Sequence, residues 1–318
     1  MSTRARAARG GGQTVEFFGG LGQSRLLVLY LAAAVGASLY LVAVGYGTQF
    51  FVSLVANLAL LALYLVIINV ATRRAPARPQ AVKHPRAETV LLVAYTAFLV
   101  ARTTDQVPGG DLTGIVPGYR QVDGLLVEAV QTLALLLWPG GAGVHLAAVV
   151  SDLFWVLLVP LGVFLALGYR PSTLGLSFER WWVALPLLAI AALPAYVNGA
   201  LLPAGGVAAI AGELLGALLV AGVAQEFFFR GLLLARVEAW RGHSLDALAI
   251  AALVYAAAHV PAYLAADGFD LTLITAKVFM GASAPTGLAW GYLFLRTRSV
   301  APGALWHASP WPTFPFAP

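Results

Sequence analysis

The side chains best suited to chemistry lie in the last third of the chain, on three separate apolar segments. Gln225 and Glu226 stand side by side inside the run Leu214–Leu234, with Arg230 one helical turn after Glu226. Tyr255 and His259 have the spacing i, i+4 on the next run, which brings them onto one helical face. His307 follows the break Ala301-Pro302-Gly303. A carboxylate beside an imidazole can hold a water and take its proton. A second imidazole can donate a hydrogen bond to a developing oxyanion. The trio Glu226, His259 and His307 therefore supports hydrolysis.

Each residue also has a plainer reading. Glu226 and Arg230 form an internal ion pair, His259 is a satisfied hydrogen-bonding residue, and His307 belongs to an interfacial belt with Trp306 and Trp311. Three such coincidences in one region carry less weight than one shared pocket. Glu with two His is also a possible zinc ligand set, but no HExxH is present, so zinc is not favoured and no cofactor is expected. Cysteine is absent, which excludes a thiolate nucleophile and disulfides. No GxSxG occurs, and Ser283 and Ser309 have no evident base partner.

The elements that must position these groups are membrane helices. Of 318 residues, 60% are hydrophobic and 10% charged, against roughly 45–50% and about 25% in soluble domains. An ordinary soluble enzyme and a disordered chain are both excluded. Spans are expected over 26–46, 50–71, 89–100, 144–167, 181–198, a run from about 207 through Arg230, 245–265 and 271–295. This makes an all-α, polytopic bundle of about eight membrane helices at roughly 20 apolar residues each. Residues 121–138, with Asp123 and Glu128, read as an interfacial helix or an imperfect span.

Arginines mark one side: the tail 1–25, the Pro-rich linker 72–88, Arg170 and Arg180, Arg236 and Arg241, Arg296 and Arg298. By the positive-inside rule that side, and the N-terminus, is cytoplasmic in a cell (inner or plasma) membrane. Arg102 and Arg120 are the exceptions. The net charge of +5 is therefore read as basic loops, with no nucleic-acid partner. The organisation expected is a basic tail (1–25), N-terminal membrane helices (26–168) and a C-terminal membrane domain (169–318). An ionisable group at bilayer depth costs a few kcal/mol and marks a pairing or a cavity. Such groups are Asp152, Glu213, Glu226, Arg230, His259, Lys277 and His307.

Gln225-Glu226-Phe227-Phe228-Phe229-Arg230-Gly231 resembles the EExxxRG motif of the CPBP intramembrane proteases, the family of type II CAAX prenyl endopeptidases and Abi-type proteins. Tyr255-Ala256-Ala257-Ala258-His259 resembles its FxxxH motif. The segment Gly287–Leu293 with Arg296-Thr297 and Ser299 resembles its Gly-rich helix and RTxS turn, and His307 occupies the place of the HxxxN histidine. The resemblance covers roughly 170–312. It implies a helical membrane fold with a cavity open to the cytoplasm, and hydrolysis of a peptide bond in a membrane-associated substrate by a Glu/His-activated, metal-free water.

On this resemblance Glu226 and His259 act on the water and His307 on the oxyanion, with Gln225, Arg230, Tyr255 and Trp311 in support. Two positions depart from the motif. Gln225 replaces the first acid, and an amide can orient water but not take its proton. Trp311 replaces the asparagine and offers one N–H donor. These departures keep a second expectation in view, a non-catalytic relative acting as a membrane adaptor or immunity-type factor. A transporter is disfavoured by the lack of an inverted repeat.

Overall fold

The computed structural model describes residues 17–73, 79–104, 118–137, 143–197, 214–267, 270–280 and 283–309. The expected basic tail therefore falls mostly outside the described residues, as do Arg74, Arg78, Glu213 and Trp311. Among the described residues the chain is helical and has no strand. In order, the longer helices are α1 (Arg25–Ala43), α2 (Gln49–Thr72), α3 (Pro85–Thr104), α4 (Tyr119–Leu137) and α5, whose turns Gly143–Asp152, Leu153–Leu158 and Val159–Ala166 run on continuously. They continue with α6 (Ala184–Val197), α7 (Leu214–Arg241), α8 (Ser244–Ala258), α9 (Val260–Asp267), α10 (Leu271–Met280), α11 (Ser283–Thr297) and α12 (Ala301–His307).

Six helices are long and apolar enough to cross a membrane: α1, α2, α3, the Val149–Ala166 part of α5, α7, and Ser244–Leu264, which joins α8 to α9. The chain is a multi-pass membrane protein, with fewer full-length spans among the described residues than the eight expected. Over the expected span 271–295 the described residues form α10 and α11, with residues 281 and 282 outside the description, and the run after Trp181 is apolar over the shorter helix Trp181–Ala191. The span expected over 89–100 instead starts at Pro85. Proline suits a first helical turn because its missing N–H is unneeded there, and Glu88 accepts the His84 N–H at 3.0 Å.

α7 is the central element. Every residue from Glu226 to Val237 is buried, on all sides of the helix, as expected of a helix surrounded by others. Much of it is wound as π-helix, over Leu218–Ala224 and Glu226–Leu234. The core joins helices from both halves of the chain: Tyr30, Tyr64 and Leu92 share it with Phe227, Tyr255 and Trp306. Lipid is as apolar as these side chains, so such helices associate by close packing and internal polar contacts. α11 packs on α8 through Gly287 and Gly291; a Cβ on Gly291 would lie 2.4 Å from Leu248 Cδ1.

The arginine-bearing end is tied by polar contacts. Arg236, wholly buried, places Nε 3.1 Å from Glu88 Oε2, while the Tyr169 hydroxyl donates to Glu88 Oε1 at 2.6 Å. Arg298, at φ 56°, reaches both Glu238 oxygens. Ser299 Oγ accepts the Ala301 N–H at 3.2 Å and opens α12, and Arg296 Nε donates to Thr72 Oγ1 at 2.8 Å. The residues of the RTxS-like turn therefore hold α12 in place against α2 and α7.

Candidate active site

Adjacent residues on α7 part company. Gln225 lines a cavity of about 210 Å³ together with Arg102, Asp152, Val220, Phe229 and His259. Glu226 is 1% exposed and does not line that cavity. It turns instead toward α12, where a Cβ on Gly303 would lie 2.7 Å from its Oε2. One residue rotates a helix by about 100°, which separates the two side chains.

Glu226 Oε1 is 3.0 Å from His307 Nδ1 and 3.1 Å from Arg230 Nη1. The Arg230 contact is an ion pair by distance, without hydrogen-bond alignment. The guanidinium lies over the Tyr255 ring at 4.3 Å and the Trp290 ring at 5.3 Å, geometry that suits a cation on aromatic faces. Trp290 also stacks on His307, with centroids 3.7 Å apart. Glu226 is thus neutralised by one arginine and locked against one imidazole.

The His307 contact continues toward the cavity. His307 Nε2 is 3.3 Å from the Tyr255 hydroxyl, which is 3.5 Å from Gln225 Oε1. A chain of polar contacts therefore runs Glu226, His307, Tyr255, Gln225. Whichever way the protons are arranged along it, one end of the Gln225 amide remains for the cavity.

His259 ends α8. Its Nδ1 is 2.8 Å from the Tyr255 carbonyl oxygen, a pure acceptor, so Nδ1 carries the proton and Nε2 is the basic nitrogen. The imidazole is half-buried on the cavity wall. The structure brings Gln225 and His259 to one cavity and Glu226, Arg230, Tyr255 and His307 to the packed layer behind it. Trp311 lies outside the described residues. Among the described residues no group of three or more His, Asp or Glu side chains could hold a metal ion.

The same cavity is lined by part of a cluster absent from the sequence-based site. Arg102, 6% exposed, donates to Asp152 Oδ1 at 2.8 Å and to Ser151 Oγ at 2.6 Å, and its Nη2 is 3.9 Å from Asp123 Oδ1. Asp123 also accepts from Ser151 Oγ at 2.5 Å and Trp155 Nε1 at 2.8 Å. The available signals were Arg102, which breaks the one-sided arginine pattern, and Asp152 at bilayer depth. Their meeting across α3, α4 and α5 is a long-range contact that no local spacing encodes.

α3 begins at Pro85 and carries Arg102 in its last turn, and α8 begins at Ser244 and is capped at its C-terminal end by His259. At 1.5 Å per residue, the cavity lies roughly 22–25 Å along these helices from their arginine-marked ends. Comparison with curated proteins and with solved structures gives no match. Residues 207–309, which carry Gln225, Glu226, Arg230, Tyr255, His259 and His307, match the family model described as type II CAAX prenyl endopeptidase Rce1-like, so this part of the chain is similar to that family, in keeping with the order of its motifs.

Proposed function

We propose that the chain is an intramembrane endopeptidase that hydrolyses a peptide bond of a membrane-associated substrate, with His259 as the base and no bound cofactor. The observation that carries this reading is the placing of His259, with its basic Nε2, and the Gln225 amide on one cavity wall. About 210 Å³ has room for several waters at about 30 Å³ each. Water held by the amide gives a proton to Nε2. Its oxygen bonds to the scissile carbonyl carbon, and the carbonyl π pair moves to oxygen. When that tetrahedral centre collapses, the C–N bond breaks and the imidazolium proton goes to the leaving nitrogen. Glu226 and His307 act as positioning residues in this scheme, because they hold Tyr255, and through it Gln225, rather than lining the cavity.

The positive-inside orientation is part of the proposal. With the arginine-marked ends in the cytoplasm, the cavity lies beyond the midplane as seen from that side, which departs from the cytoplasm-facing cavity that the resemblance implies.

The test uses protein purified in detergent and a fluorogenic peptide, with and without a prenylated cysteine. The His259→Ala variant is expected to lose at least 100-fold in kcat, in line with general-base catalysis, while 1,10-phenanthroline leaves wild-type turnover unchanged. Undiminished cleavage by the His259 variant would overturn the assignment. Gln225 in place of an acid favours one other reading, a non-catalytic adaptor; binding of the peptides without any cleavage supports it.

A further inference from the structure

Hydrolysis by His259 leaves a charge problem. Proton transfer to Nε2 creates an imidazolium in a cavity within the membrane, where an uncompensated charge is costly. The motif position that would answer it is Gln225, which carries no charge. Glu226 cannot answer it either, since Arg230 already balances its charge and it faces α12 rather than the cavity.

The lining of the same cavity has what is missing. Among the described residues Arg102 is paired with two carboxylates, Asp123 and Asp152. Asp123 is committed to Ser151 and Trp155. Asp152 is different. Its contact with Arg102 uses Oδ1, its side chain is 40% exposed, and it lines the same cavity as His259 and Gln225. The backbone changes at the same place: α5 turns to π-helix at Leu153, directly after Asp152, and this segment packs on the π-helical segment Leu218–Ala224 just before Gln225. π-Turns of this kind are frequent at functional sites.

We propose that Asp152 is a catalytic residue that supplies the carboxylate missing at position 225. Its Oδ2 accepts a hydrogen bond from the attacking water while His259 Nε2 takes the other proton of that water. The carboxylate keeps its charge throughout and offsets the imidazolium until the proton passes to the leaving nitrogen. Arg102 holds Asp152 by one oxygen and thereby aims the other.

This inference rests on the hydrolytic reading, and the experiment separates the two. In the full-length protein, with the prenylated and unprenylated fluorogenic peptides, Asp152→Asn keeps an acceptor for Arg102 but removes the charge. The expected result is a fall in kcat of about 100-fold with KM within threefold. Adding Gln225→Glu to Asp152→Asn, which returns a carboxylate to the same cavity, is expected to recover at least tenfold. A merely structural role for Asp152 gives no such rescue.

If Asp152→Asn turns over within threefold of wild type while His259→Ala is inactive, Asp152 is not catalytic and the hydrolytic reading stands. An inactive Asp152→Asn that Gln225→Glu fails to rescue also overturns the proposal. Should the Asn variant fail to fold, Asp152→Glu keeps the charge and displaces the carboxylate by one methylene: lower kcat at constant KM supports the proposal, and unchanged kcat overturns it. Wild-type protein that cleaves neither peptide removes the hydrolytic reading and this inference with it.

Discussion

Gly303→Ala probes the layer behind the cavity without replacing any ionisable group. The new Cβ would lie 2.7 Å from Glu226 Oε2 and 3.2 Å from its Cδ. Restoring van der Waals distance requires a shift of about 0.7 Å. The Glu226–His307 contact at 3.0 Å then stretches beyond the usual hydrogen-bond range of about 3.2 Å. A hydrogen bond to a charged group is worth about 1.5–3 kcal/mol. If His307 positions Tyr255 and Gln225 through that bond, its loss corresponds to roughly 10- to 150-fold in kcat. Thermal unfolding followed by tryptophan fluorescence should lose no more than this one bond, because the Cβ meets the end of a side chain and not backbone. Gly222→Ala is the contrast: its Cβ would meet the Ala304 backbone oxygen at 2.6 Å, which forces α12 away and lowers the melting temperature. In a Glu226→Ala background Gly303→Ala should have almost no further effect. Full activity of Gly303→Ala, or additivity with Glu226→Ala, would refute the positioning chain.

Three further outcomes follow from the same contacts. Arg236→Met leaves Glu88 buried and unpaired at the arginine-marked end; breaking such a pair costs about 3–5 kcal/mol, whereas Glu88→Gln/Arg236→Met should recover most of it in thermal unfolding, and an unaffected single variant would refute this. Burial first, and the hydrogen bond to Glu88 second, push the Tyr169 phenol above its ordinary value. Because the folded value is the raised one, this group's stabilisation is complete below about pH 10, the unfolded value, and is lost as pH rises through the folded one; Tyr169→Phe should flatten that alkaline loss, and identical alkaline unfolding curves count against it. The lack of cysteine makes single-cysteine labelling clean: Thr103→Cys on the cavity wall should react with a membrane-impermeant maleimide from outside intact cells, and labelling only after the membrane is opened would reverse the proposed orientation.

What could be read from the sequence was what is local. Apolar runs gave the bundle, and the i, i+4 pair Glu226–Arg230 meets at 3.1 Å as its spacing suggests. α3 was read too short because its first turn, Pro85 to Glu88, is polar. Which of Gln225 and Glu226 faces the cavity was hidden. A helix that is apolar all round shows no face in its periodicity, so the answer came only with α12 packed against it. The Arg102, Asp123 and Asp152 cluster joins three helices, and only the assembled bundle brings them together.

The split between Gln225 and Glu226 changes what the departure from the EExxxRG pattern means. If both acids shared one cavity, replacing the first would leave the second to take over its work. Here about 100° of helix rotation and the Arg230 and His307 contacts keep Glu226 in the packed layer, so takeover would require breaking an ion pair buried on both sides. Such a rupture leaves a buried charge unpaired, at about 3–5 kcal/mol, equivalent to a factor of roughly 150 to 5,000 in rate if it had to precede each turnover. A carboxylate already on the cavity wall carries no such cost, and among the described lining residues Asp152 is the one that has it. The two acids therefore separate by experiment: Glu226→Gln should act through Tyr255 and leave Gly303→Ala with almost no further effect, while Asp152→Asn should be rescued by Gln225→Glu and add independently to Gly303→Ala.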